Sequence, residues 1–220
     1  MKLDKSKLSQ YIEHTLLQPN IEKEAVKNLC YEAINHHFYG VCIPPYYVKY
    51  AKQVLSKLPV KIVTVVGFPM GYSTTPAKVE EVKKALHEGA DEVDVVVNIA
   101  AIKNKDWGYI RNDIQSVTAA THIQGRVIKI ILETALLNDE EIKRMCDICN
   151  LNMVNFVKTA TGFNQVNTSP EVIKLLKGYI DKDIQIKASG GIKTTADALA
   201  LIEAGASRIG ASRSLQIIGQ

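Results

Sequence analysis

The sequence predicts a single (β/α)8 barrel, the TIM barrel, spanning residues 1–220. Three observations predict it. Short β-rich runs alternate with stretches of helical period from one end of the chain to the other, which is the pattern of repeated βα units around a parallel sheet. No linker, low-complexity tract or shift in composition divides the chain, and 220 residues with 46% hydrophobic content suit one barrel. Charged residues end several otherwise apolar strands, at the rim where such barrels build their sites.

The strands are expected, in order, at residues 11–16, 40–43, 60–66, 92–97, 127–133, 153–158, 184–187 and 207–210. The first is the shortest signal, Ile12, Thr15 and Leu16 ahead of the turn residues Pro19 and Asn20. Between strands, apolar residues recur at helical spacing, as at Ala25, Val26, Leu29, Cys30, Ala33 and Ile34, and at Val79, Val82, Leu86 and Ala90. Ser169-Pro170-Glu171 offers a cap followed by Pro at the first helical position, and Gly89 and Gly205 stand where helices should stop. An open doubly wound sheet is the structural alternative.

Composition narrows the functional classes. A formal net charge of +4, with Lys and Arg spread along the chain, offers no block to track a nucleic-acid backbone and suits a phosphorylated metabolite. The start Met1-Lys2-Leu3-Asp4-Lys5 has no apolar signal core and no stretch is apolar enough to cross a membrane, so a cytoplasmic protein is expected. Cys146 and Cys149 form a C-x-x-C inside a helical pattern, which places both thiols on one core-facing side, and Cys30 lies on another apolar stripe. His14, His36, His37, His87 and His122 form no zinc-ligand pattern and read as surface or packing residues, so no metal is expected.

Asp94, Lys129, Glu133, Lys158 and Lys187 interrupt or end strands that should be apolar. Outward they would sit unpaired beneath helices, so all five are expected to point inward, with Lys129 and Glu133 on one face by period-two alternation. A buried ion-pair network, or lysines reaching from strand ends to solvent, would account for them without chemistry. Two lysines ending consecutive strands beside an aspartate suggest more. At about 4 Å their repulsion is about 4 kcal/mol at an effective dielectric near 20, enough to favour a neutral, nucleophilic amine in the pair. Asp94 could then carry protons during carbinolamine dehydration and carbon–carbon cleavage. The constellation points to imine chemistry.

Two glycine-rich segments follow the last strands. Lys187-Ala188-Ser189-Gly190-Gly191-Ile192 leads into a helix near Thr194, and Arg208-Ile209-Gly210-Ala211-Ser212-Arg213-Ser214 into a short terminal helix. Phosphate is commonly held there in barrel enzymes, because glycines let N–H groups approach and a helix N-terminus adds its dipole. Ser189 and Ser212 can donate hydroxyls, Arg213 can add charge, and Gly162 can complete the cradle.

Together these segments resemble deoxyribose-phosphate aldolase. The resemblance runs from Glu13 to about Ser212 and rests on Glu13-His14-Thr15-Leu16-Leu17, Gly67-Phe68-Pro69, Gly89-Ala90-Asp91-Glu92-Val93-Asp94-Val95-Val96, Ile130-Ile131-Leu132-Glu133-Thr134, Phe156-Val157-Lys158-Thr159-Ala160-Thr161-Gly162-Phe163, Lys187-Ala188-Ser189-Gly190-Gly191-Ile192 and Arg208-Ile209-Gly210-Ala211-Ser212. It implies Lys158 as the Schiff-base lysine, Lys187 as the second lysine that tunes it, and Asp94 as the acid/base group. It further implies that Gly162, Gly190, Gly191, Gly210 and Ser212 surround the phosphate and that Thr15 and Lys129 line the sugar end. The implied reaction is reversible cleavage of 2-deoxy-D-ribose 5-phosphate to D-glyceraldehyde 3-phosphate and acetaldehyde, in deoxyribose catabolism, without metal or organic cofactor. A homodimer is the expected assembly. The chain departs from the family pattern at Glu13 (usually Asp), at Pro44 (often Asn) and at residues 164–168, which are small and glycine-rich in many relatives. Another class I aldolase, a transaldolase or a non-catalytic phosphate-binding barrel are the competing readings.

Overall fold

The computed structural model describes residues 5–164 and 167–220. The charged start at residues 1–4, and Gln165-Val166 within the 164–168 segment, lie outside the described residues. Eight strands form a closed, all-parallel barrel: β1 (Ile12–Thr15), β2 (Gly40–Ile43), β3 (Lys61–Val66), β4 (Glu92–Val96), β5 (Val127–Ile131), β6 (Phe156–Lys158), β7 (Gln185–Ser189) and β8 (Arg208–Ala211). Each pairs with its successor, and β8 closes on β1 with Glu13 opposite Gly210. The open-sheet alternative is thereby excluded.

Around the barrel run α1 (Lys23–Asn35), α2 (Val48–Leu55), α3 (Thr75–Glu88), α4 (Ile99–Lys103), α5 (Trp107–His122), α6 (Asp139–Leu151), α7 (Pro170–Tyr179), α8 (Thr195–Ala204) and α9 (Ser214–Ile218). Their apolar stripes pack on the outward faces of the strands, as Val26, Leu29, Cys30 and Ala33 do from α1. Burial from both sides explains why β2 and β4 are buried at every position. The expected stops hold: Gly89 ends α3 in the left-handed region at φ 112°. Cys146 and Cys149 are buried on the core face of α6, and burial pushes the Cys146 thiol up to about 12. Among the described residues no helix is long and apolar enough to cross a membrane.

The strands are mostly shorter than the apolar runs suggest. β5 ends at Ile131 rather than at 133: the Leu132 N–H still bonds across to the Lys158 carbonyl of β6 (2.9 Å), and Glu133, in the left-handed region at φ 55°, then takes the chain out of the sheet. Glu133 therefore does not continue the inward face that carries Lys129. Its Oε2 instead accepts from the Thr161 N–H (3.1 Å) and hydroxyl (2.6 Å), bracing the loop after β6.

Candidate active site

The carboxyl ends of the strands surround a cavity of about 300 Å³. Thr15 from β1 and Lys158 from β6 reach it, and so do Gly162, Gly190, Gly191, Gly210 and Ser212 from the loops and strand end expected to hold phosphate. Asp94, Lys187 and Lys129 lie beneath it. All three are fully buried, while Lys158 is 2% exposed.

Asp94 is the hub. Its Oδ2 accepts from both Lys158 (2.9 Å) and Lys187 (2.6 Å), and its Oδ1 accepts from Lys129 (2.9 Å). Sheet register puts them together: Asp94 stands opposite Lys129, and Lys158 opposite Lys187. Lys129 was expected to line the sugar end, but it does not. It pairs with Phe156, two residues below Lys158 on β6, and its amine is held by Asp94, Glu92 (2.5 Å) and Glu13 (3.4 Å). It supports the floor of the cavity rather than its wall.

Glu13, noted in the sequence only as an unusual residue, is a second hub. Its carboxylate holds Lys187, Arg208 (3.2 Å) and Lys129. Glu92 and Arg208 extend the network towards the amino-terminal mouth, where Arg208 stacks on Tyr39 at 3.2 Å and the Tyr39 hydroxyl donates to Glu92 at 2.5 Å. Alternation could have found both, since Glu92 lies two residues before Asp94 and Arg208 two before Gly210 on their inward faces.

The electrostatics follow from this packing. Burial penalises the Asp94 anion, yet Lys129, Lys158 and Lys187 outweigh it and hold the carboxyl well below its ordinary value. Burial also disfavours the Lys187 cation, but Asp94 and Glu13 reverse the balance and raise it above the usual lysine value. Lys129 is raised in the same way by Asp94, Glu13 and Glu92. The repulsion between Lys158 and Lys187 is therefore not relieved at Lys187, which stays a cation. Glu13, Cys42 and Asp94 cluster closely enough to suggest a metal site, but the lysine amines already occupy the carboxylate oxygens.

At the loop end, the backbone does what the glycines imply. Gly162, Gly190 and Gly191 have φ of 88°, 99° and 73°, conformations that side chains disfavour. Gly191 also makes room for Asn167, whose side chain occupies the space a Cβ would need. Two expectations change. The Ser189 hydroxyl is already donated to the Ala160 carbonyl (2.6 Å), so it ties the end of β7 to the loop after β6. The amides just before α8 are also taken, because Asp197 accepts from Lys193 (3.1 Å) and Thr194 (2.9 Å), and the Asp197 N–H itself donates to the Thr194 hydroxyl (3.1 Å). Groups that line the cavity and can face an anion include the Gly162, Gly190–Ile192 and Gly210–Ser212 segments together with Lys193 and Arg213; Lys193 was not anticipated.

Comparison with known proteins agrees with this architecture. The pattern of the family described as DeoC/LacD family aldolase matches residues 7–218. The chain is 44% identical over 216 residues to a deoxyribose-phosphate aldolase of Aciduliprofundum boonei, covering 98% of this chain and 97% of that one. It is likewise 44% identical over 213 residues to one from Thermococcus gammatolerans, covering 96% and 95%. Among solved structures, the tetrameric deoxyribose phosphate aldolase of Aeropyrum pernix superposes with a TM-score of 0.92 at 29% identity, over 99% of this chain and 92% of that one. The chain belongs to the DeoC/LacD family of aldolases.

Proposed function

We propose that this protein is a deoxyribose-phosphate aldolase that cleaves 2-deoxy-D-ribose 5-phosphate through a Schiff base on Lys158. The observation that carries this reading is the placement of Lys158. It is the amine of the buried network that opens into a cavity, and the same cavity is lined by Gly162, Gly190, Gly191, Gly210, Lys193 and Arg213, groups suited to an anion.

Four basic groups, Lys129, Lys158, Lys187 and Arg208, share three carboxylates, Glu13, Glu92 and Asp94. One amine can thus be neutral without leaving a carboxylate unpaired. Lys158 holds a single carboxylate oxygen, shared with Lys187, and is the amine free to attack.

Lys158 adds to the C1 aldehyde of the open-chain sugar, and loss of water leaves an iminium. Removal of the C3 hydroxyl proton then breaks the C2–C3 bond. The bonding pair flows into the iminium nitrogen, D-glyceraldehyde 3-phosphate leaves, and the remaining enamine is protonated at C2. Hydrolysis of that iminium frees acetaldehyde and the lysine. Asp94, bonded to Lys158, is placed to take and return protons around the nitrogen, directly or through a water. Lys187 stabilises the Asp94 anion. The Gly162, Gly190–Gly191 and Gly210–Ser212 segments, with Lys193 and Arg213, receive the phosphate, and Thr15 borders the sugar. No organic cofactor is required, because the iminium serves as the electron sink. We assign the reaction to deoxyribose catabolism in the cytoplasm, in a homodimer.

Intact-protein mass spectrometry after incubation with acetaldehyde and borohydride tests the nucleophile. A two-carbon adduct mapping to Lys158, and lost in Lys158→Ala, is expected. A folded, unsubstituted protein that traps no adduct would return the non-catalytic phosphate-binding reading to the front.

A further inference from the structure

His14 stands on β1 between Glu13, which grips Lys187, and Thr15, which lines the cavity. Alternation turns its ring to the other face of the strand, where it is buried at 4% exposure. There Nε2 lies 2.7 Å from Glu32 Oε2 of α1, and Nδ1 lies 2.9 Å from the Oγ of Ser214, the first residue of α9. Ser214 is fully buried, and its hydroxyl is 2.9 Å from the Ala211 carbonyl. Ala211 pairs with His14 in the β1–β8 register and lines the cavity between Gly210 and Ser212. A chain of polar contacts thus runs from a carboxylate on the outer helices to the turn that faces the anion.

Counting hydrogens shows when that chain is complete. Glu32 to His14, His14 to Ser214 and Ser214 to Ala211 each need one hydrogen between two heavy atoms. A neutral imidazole and a hydroxyl supply two, whereas an imidazolium and a hydroxyl supply three. With only Nε2 protonated, Ser214 must turn its hydrogen to Nδ1 and abandon the Ala211 carbonyl. With only Nδ1 protonated, a bare Nε2 faces a carboxylate. Opposing influences act on the extra proton. Burial holds His14 below its ordinary 6.5 and His36 repels the cation, while Glu32 and the Ala211 carbonyl favour it. Near neutral pH the ring is therefore mainly uncharged, and one contact of the chain is open.

We propose that His14 is a positioning residue for the phosphate-binding turn: a proton taken from solvent closes the Glu32–His14–Ser214–Ala211 chain and fixes Gly210–Ser212, so that phosphate binding and His14 protonation favour each other. This rests on the phosphate-site reading above and not on the Schiff base. His14 does not line the cavity, so its effect falls on KM rather than on kcat.

Histidine-ring NMR titrations of the full chain test the coupling, with His14→Gln locating the His14 signal. The probe is glycerol 3-phosphate, which carries the phosphate and no aldehyde. If the closed chain binds about fivefold tighter, the worth of one hydrogen bond, saturating probe raises the His14 pKa by about 0.7, by reciprocity. The bare field of a phosphate would also raise it, so the deciding comparison is Ser214→Ala, which keeps His14 and Glu32 but cuts the link to Ala211. There the rise is expected to shrink to about half or less, and KM for 2-deoxyribose 5-phosphate to increase about fivefold with kcat within about twofold. An equal rise in both proteins, or a Ser214→Ala variant that lowers kcat at unchanged KM, overturns the positioning role. Should that variant fail to fold, Glu32→Gln, at a half-exposed side chain, is measured in its place: a lower His14 pKa with a raised KM supports the chain, and an unchanged KM overturns it. If glycerol 3-phosphate does not bind the unsubstituted protein, the phosphate-site reading fails and this inference with it; binding that leaves the His14 pKa unmoved overturns this inference alone.

Discussion

Lys158 and Lys187 share one oxygen: Asp94 Oδ2 accepts from the first at 2.9 Å and from the second at 2.6 Å. Two cations on one acceptor cannot both be fully compensated, and Lys187 is the better held because Glu13 grips it as well. Lys158, the one that meets the cavity, has only the shared oxygen. It is the less tightly held amine of the pair.

Lys187→Met should reverse that competition. Asp94 Oδ2 would then accept from Lys158 alone, so the proposed nucleophile would be held more tightly. The expected outcome is a kcat for 2-deoxyribose 5-phosphate cleavage reduced at least a hundredfold. Steady-state assays check it, and a kcat within tenfold of the unsubstituted protein would mean that Lys187 acts only as structural support.

The same network sets a pH window for stability. The folded-state values of Asp94 and Glu92 lie below their ordinary 3.8 and 4.5. Their contribution is therefore present above those ordinary values and lost as pH falls through the folded ones. Lys129 and Lys187 lie above 10.5 when folded, so their contribution is complete below that value and lost as pH rises through the folded ones. Urea midpoints should form a plateau between roughly pH 5 and pH 10 and fall on both sides. In Asp94→Asn the three amines lose their common anion, and stability should drop by about 3–5 kcal/mol within the plateau.

Gly210 and Gly162 should respond differently to alanine, although both border the cavity. A Cβ on Gly210 would come within 2.9 Å of Lys187 Cε, so Gly210→Ala should displace Lys187 and lower kcat about tenfold or more, one step on the activation-energy scale. A Cβ on Gly162 meets nothing within 4 Å, but φ is 88°. Gly162→Ala should instead cost roughly 1 kcal/mol of backbone strain and raise KM for the sugar phosphate. Kinetics on both variants separate the kcat effect from the KM effect.

Lys193 and Arg213 are cationic side chains that line the cavity. Replacing either with Ala should raise KM for 2-deoxyribose 5-phosphate about tenfold, the worth of one charge-assisted contact of roughly 1.5 kcal/mol, and weaken its salt dependence. Cleavage of unphosphorylated 2-deoxyribose should be unaffected. Equal loss on both sugars would show that these residues shape the loops rather than bind phosphate.

Much of this was legible from sequence because strand periodicity and turn chemistry are local. Alternation alone marks Asp94, Lys129, Lys158 and Lys187 as inward charges in strands that should be apolar, and paired glycines mark the loops after β7 and β8. Neighbouring residues also carry the helix stops at Gly89 and Gly205. What alternation does not encode is how far around and how deep in the barrel each side chain falls, because that is set by register between strands distant in sequence. Barrel closure places Glu13 of β1 against Arg208 of β8 and Lys187 of β7, and drops Lys129 two residues below Lys158. A single left-handed residue turns Glu133 away from the interior to brace Thr161. The sequence by itself determined which groups must be buried and must find opposite charges. Only the tertiary structure decided which carboxylate each amine would have to share, because ion pairing inside a closed barrel depends on distances of a few ångströms that no local pattern records.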